Sequence, residues 1–234
     1  MNGVLWYATR AAGEVALLFL TVVVAFGVMS AVRVGGRRIP RFVLAGLHRN
    51  LTLAGLGFLV VHIGTAVLDT YAPIGVTDAV VPFASAYRPI WLGLGTLAFD
   101  VLLVLTATSL LRTRIGLRWW KALHWTAYVC WATALIHALG TGTDTRASVF
   151  LALAGLCCAV TLAFVAWRLA AAGPRHQGAR VAAGLAVLVV VAGIAAWTVR
   201  GPLEPGWARR SGTPASLLPG PPPPKAAPSG GTGG

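Results

Sequence analysis

Residues 43–68 read VLAGLHRNLTLAGLGFLVVHIGTAVL, and residues 119–139 read WWKALHWTAYVCWATALIHAL. Each run is long and apolar enough to cross a bilayer, which takes roughly 20 residues of helix. Each also carries two histidines in an apolar setting. His48 and His62 are fourteen apart in the first run, and His124 and His137 thirteen apart in the second. Four more apolar runs surround them, at about 15–34, 90–111, 148–169 and 181–199. Pro40, Pro73, Pro82, Pro89 and Pro174 all fall between runs, where proline removes no helical hydrogen bond. The sequence therefore predicts an all-α membrane protein of six transmembrane helices.

Composition excludes the alternatives. The chain of 234 residues is 57% hydrophobic and 11% charged, against about 25% charged residues in a soluble domain. Disorder needs low hydrophobicity, which is absent. Three cysteines, Cys130, Cys157 and Cys158, make no disulfide framework and read as packing residues within helices. The net charge of +13 is spread between apolar runs and forms no single patch of the kind that binds nucleic acid.

The basic residues orient the chain. Arg37, Arg38 and Arg41, then Arg112, Arg114, Arg118 and Lys121, then Arg175 and Arg180 occupy alternate connections with no Asp or Glu among them. The opposite connections hold Glu14, Asp69, Asp78, Asp144 and Glu204. By the positive-inside rule the first set faces the cytoplasm, so both termini lie outside it in a multi-pass protein of the cell membrane. In the first run the positive charges follow the apolar stretch, which fits an inserted helix better than a signal peptide. Three segments result: a short outer N-terminus at 1–14, a membrane domain at 15–200, and an outer tail at 201–234. That tail, with Pro221–Pro224 and a glycine-rich end, reads as disordered.

His48 and His124 lie near the inner ends of their helices, and His62 and His137 near the outer ends. At 1.5 Å per residue the separations within each helix are about 21 and 19.5 Å, so one helix cannot bring both of its histidines to one metal ion. Pairing between helices can: His48 with His124, and His62 with His137. Two imidazoles facing across a gap suit a six-coordinate haem iron. The blander alternative is four histidines in interhelical hydrogen bonds. A spacing of fourteen returns within about 40° of the same helix face, whereas thirteen misses by about 140°. The fourth helix must therefore bend, tighten locally, or aim its histidines differently. No C-x-x-C-H motif is present, so the expected cofactor is noncovalent haem b, two per chain.

These histidine spacings, with the settings Leu47-His48-Arg49 and Trp119-Trp120-Lys121-Ala122-Leu123-His124, resemble the ferric reductase-like transmembrane domain over about residues 15–170. That superfamily includes NADPH oxidases, ferric reductases and the haem subunit of methionine sulfoxide reductase systems. The resemblance implies a bis-histidine dihaem helix bundle that passes electrons across the membrane. His48 and His124 would hold an inner haem, and His62 and His137 an outer one. Arg49, Arg118 and Lys121 would pair with the inner propionates, or serve topology alone.

NADPH oxidases follow the last helix with a flavin and nicotinamide domain. Here the sequence after the sixth run is short, so no FAD or NAD(P) site is expected. Residues 93–98 match a dinucleotide fingerprint only on paper, since no strand precedes them. The donor is then a separate flavoprotein or a membrane quinol. The outer acceptor is ferric iron, oxygen or a reductase. The chain reads as an oxidoreductase-type electron-transfer subunit.

Asp100 lies inside the third run, either as a proton or quinol site or as a protonated side chain bonded to a neighbour such as Thr96. Trp131 and Phe58 lie between the two histidine levels, as inter-haem packing or plain core. Gly55 and Gly57 clear space for a porphyrin or for helix contact. The loop at 140–145, directly after His137, and the loop at 69–88 are candidates to cover the outer site. A rival reading is a membrane transporter using the histidines and Asp100 for metal or protons. It fits less well, because such sites cluster at the midplane.

Overall fold

The computed structural model describes residues 3–32, 40–173 and 177–218. Arg37, Arg38, Arg175, His176 and the run Pro221–Pro224 lie outside the described residues. The helices are α1 (Gly3–Ala31), α2 (Arg41–Leu68), α3 (Val76–Val80), α4 (Pro89–Leu110), α5 (Arg112–Ile115), α6 (Leu117–His124), α7 (Ala127–Thr141), α8 (Ser148–Ala170), α9 (Gln177–Arg200) and α10 (Trp207–Arg210), with a 3-10 turn at Ala215–Leu217. Every regular element among the described residues is helical.

Five helices are long and apolar enough to cross a membrane: α1, α2, α4, α8 and α9. The chain is a multi-pass membrane protein. The expected sixth span, over 119–139, is not one continuous helix. It breaks at Trp125–Thr126 into α6 and α7. At the break the Thr126 and Tyr128 amides reach back only three residues, to Leu123 and Trp125, at 3.0 and 3.3 Å. Such tightening adds rotation per residue. It supplies part of the turn that a spacing of thirteen lacks in a uniform helix.

α1 starts at Gly3 and carries Arg10 and Glu14 within it. Residues 201–218, expected as the start of a disordered tail, are ordered. Trp207 packs against Trp91 and, edge-on, against Trp197, with ring centres 5.2 and 5.9 Å away, and its indole N–H donates to the Gly140 carbonyl at 2.9 Å. Arg146 donates to the Leu203 carbonyl at 2.8 Å. Residues 201–218 thus cap the end of the bundle nearest His137.

The core lies between α1, α7 and α8. Leu17, Val24, Trp131, Leu135, Leu139, Phe150, Ala154 and Cys157 form one buried cluster, and Ala98, Leu105 and Cys130 join α4 to α7 in a second. Trp131 belongs to this core: its indole N–H donates to the Thr21 hydroxyl at 3.0 Å. Its polar end is thereby satisfied on burial. Phe58 stacks on Phe19 at 5.4 Å, and Gly55 lies against the same Phe19, so both serve the α1–α2 contact. α1 and α2 are the most extensively packed helix pair, followed by α4 and α7. These two pairs flank the histidines.

Candidate functional site

The four membrane histidines meet in two pairs. His48 of α2 lies 6.1 Å from His124 at the end of α6, and His62 of α2 lies 6.2 Å from His137 of α7, between ring centres. Among the described residues, no group of three or more His, Cys, Asp or Glu side chains is placed to hold a metal ion.

Three of the four imidazoles share one seat. His62 Nδ1 donates to the Thr9 carbonyl at 2.8 Å, His48 Nδ1 to the Val23 carbonyl at 3.0 Å, and His137 Nδ1 to the Trp91 carbonyl at 2.9 Å. Four residues after each acceptor stands a glycine: Gly13, Gly27 and Gly95. A Cβ added at Gly13 would lie 2.8 Å from the His62 ring, one at Gly27 3.4 Å from His48, and one at Gly95 within 2.8 Å of three His137 atoms. The missing side chain lets each ring lie flat on the neighbouring helix and reach a carbonyl one turn back. Gly13 and Gly27 are fourteen apart, as are His48 and His62, because α1 runs antiparallel to α2. Sequence reasoning looked at Gly55 and Gly57 and missed this set. The usable signal was the same fourteen-residue interval between Gly13 and Gly27.

With Nδ1–H committed to a carbonyl, the tautomer is fixed and Nε2 keeps its lone pair. His124 departs from the pattern. Its Nδ1 is buried without a hydrogen-bond partner, and Trp120 stacks on its ring at 4.9 Å.

Around His62 and His137 the helices α1, α2, α4 and α7 enclose a cavity of about 250 Å³. Leu17, Leu20, Leu59, Ile63, Leu92 and Phe99 make it mainly apolar. Tyr71, Ala72, Ile74, Asp78 and Tyr87 from the 69–88 loop line one end of it. That loop is tied down: Asp78 Oδ2 accepts the Gly75 amide at 2.9 Å, and the Thr96 hydroxyl donates to the Asp78 carbonyl at 2.7 Å. Thr96 is therefore not a partner of Asp100, and Asp100 does not line this cavity.

Arg10, unremarked in the sequence, projects from α1 to the same cavity and pairs with Asp144. Its Nε is buried without a hydrogen-bond partner. Arg88, also unremarked, is 3% exposed and donates through Nη1 to the carbonyls of Gly140, Thr141 and Gly142 at 2.9–3.2 Å. The 140–145 segment is thus the anchored end of α7. Burial pushes the neighbouring Tyr87 hydroxyl up from its ordinary range. Arg49, Arg118 and Lys121 are exposed.

A bundle of apolar spans with histidines paired at two levels defines a helical membrane protein built around buried imidazoles. Residues 12–135 match the family described as ferric reductase like transmembrane component, and the chain belongs to that family. The match contains His48, His62 and His124 and ends two residues before His137. Neither the curated proteins nor the solved structures gave a match. Family membership points to transmembrane electron transfer in a reductase.

Proposed function

We propose that the chain carries electrons across a membrane through two b-type haems, as the membrane subunit of a reductase. The observation that carries this reading is the pair of ring separations, 6.1 and 6.2 Å. An imidazole nitrogen binds a metal at about 2.0–2.1 Å, and its ring centre lies about 1.1 Å further on, so two rings on opposite sides of one ion stand about 6.2–6.4 Å apart. Two imidazoles leave most of a coordination sphere unfilled, and a porphyrin supplies the other four nitrogens. Haem, when bound, supplies the one-electron chemistry.

The chain's own groups do the rest. His48 with His124 would hold one haem, and His62 with His137 the other. The Val23, Thr9 and Trp91 carbonyls fix three of these rings and raise their basicity. The apolar lining excludes water and lowers the local dielectric. The buried Nε of Arg10 is a free donor for a haem carboxylate at the outer level. Arg49, Arg118 and Lys121 are the cations available at the inner level. The electron donor is a separate flavoprotein or membrane quinol, and the acceptor on the outer face is ferric iron, oxygen or a reductase.

A dithionite-reduced minus oxidised spectrum of the purified chain tests this, with haem quantified alongside. Two b haems per chain are expected, and about one in each of His48→Ala and His137→Ala. Folded protein made with haem available and containing none would sink the proposal.

A further inference from the structure

On the reading that the paired imidazoles hold haem, we propose that His124 is a replaceable ligand. The inner iron then accepts a small neutral diatomic molecule in its place, whereas the outer iron does not.

The asymmetry is visible in the seats. On α1 the seat glycines Gly13 and Gly27 are fourteen apart. On α4 the position fourteen after Gly95 is Ser109. Its hydroxyl accepts the Trp120 indole N–H at 3.3 Å, and the Trp120 ring stacks on His124 with an interplanar angle of 27°. Stacking sets the plane of the imidazole but offers Nδ1–H no acceptor, and that nitrogen is buried and unpartnered. A carbonyl at this position strengthens a histidine ligand, and losing such a partner typically costs about 10–100-fold in metal affinity.

The backbone adds to the contrast. His48 sits inside the 28 residues of α2, while His124 is the last residue of α6, directly before the break at Trp125–Thr126. His137 lies within α7, whose end is held by Arg88 and Trp207. The exchange breaks the bond from iron to His124 Nε2 and forms one from iron to the incoming molecule. No electron or proton is transferred.

Carbon monoxide is the probe. The full-length chain in detergent, with its haem content measured, is reduced with dithionite and titrated optically. One CO per chain is expected, saturating with half of the haem converted. Trp120→Ala, which frees the ring, should tighten CO binding about tenfold. Ser109→Gly, which recreates the seat of Gly95 and opens the Leu105 carbonyl to Nδ1, should weaken it about tenfold. No CO binding to the two-haem protein would overturn the proposal. So would two CO per chain, or one CO whose affinity is unchanged by Ser109→Gly. If Trp120→Ala does not hold haem, Ser109→Gly alone decides. A haem-free wild type fails the dihaem reading itself, and haem quantification before the titration separates that failure from this one.

Discussion

On the proposed dihaem reading, Gly95→Ala and Gly13→Ala are each expected to lose about one of the two haems per chain, while Gly27→Ala keeps both. The three substitutions add the same methyl group to the same kind of seat, so only the available space differs. At Gly95 the new Cβ would fall within 2.8 Å of three His137 ring atoms, and at Gly13 within 2.8 Å of two His62 ring atoms. Neither ring can yield cheaply. Each is tied by Nδ1 to a carbonyl at 2.8–2.9 Å and would be tied by Nε2 to iron. A shift of the order of 1 Å in either ring breaks one bond or the other. At Gly27 the nearest approach is 3.4 Å, which is ordinary contact. Haem quantification of the three variants reads the result directly. The surviving haem in Gly95→Ala and Gly13→Ala should have the same spectrum, because both variants spare the inner pair. Equal haem content in all three would mean that the glycines serve helix packing only.

The same glycines show what the sequence could and could not reveal. His48 and His62 announce two levels because a charge-bearing ring inside an apolar run is rare and their spacing fits a helix. A glycine in a membrane helix announces nothing by itself, since close helix packing uses it as freely. Gly95 was visible only as part of a discarded dinucleotide match. Gly93 beside it serves the 69–88 loop, where Phe83 packs against it. The break after His124 was legible as a conflict, because a spacing of thirteen does not repeat on one face. Its resolution depends on three-residue hydrogen bonds that composition does not encode. The order of residues 201–218 was hidden for another reason. Pro and Gly content there resembles a disordered tail, while the groups that hold it, Arg88, Trp91 and Gly140, lie more than 50 residues away in the chain. Arg88 stands in a loop between apolar runs. Nothing local distinguishes a buried arginine there.

Arg88→Ala is expected to destabilise the fold by about 2–3 kcal/mol, because buried acceptors lose a charged donor. Nη1 serves three carbonyls at the C-terminal end of α7, Nε donates to the Thr213 hydroxyl at 2.9 Å, and the Arg88 amide donates to the Gly212 carbonyl at 3.1 Å. A cation at a helix C-terminus also opposes the helix dipole. Removing the side chain orphans the Thr141 carbonyl, worth about 1–3 kcal/mol, leaves the Gly140 and Gly142 carbonyls only the bonds from Trp207 and Thr145, and loosens residues 201–218 by losing the bond to Thr213. The backbone sharpens the test. Arg88 has φ 45 and ψ 60, a left-handed conformation that favours glycine. Arg88→Gly relieves that strain while deleting the same contacts, so the gap between the Gly and Ala variants isolates the backbone contribution at about 1 kcal/mol. Both variants should melt well below wild type in detergent, with Ala the lower. His137 is one turn before Gly140, so on the proposed reading the haem at His62 and His137 should be lost from both variants before the one at His48 and His124 on heating. A melt in which Arg88→Gly matches wild type would show that the guanidinium contributes nothing to the hold on α7.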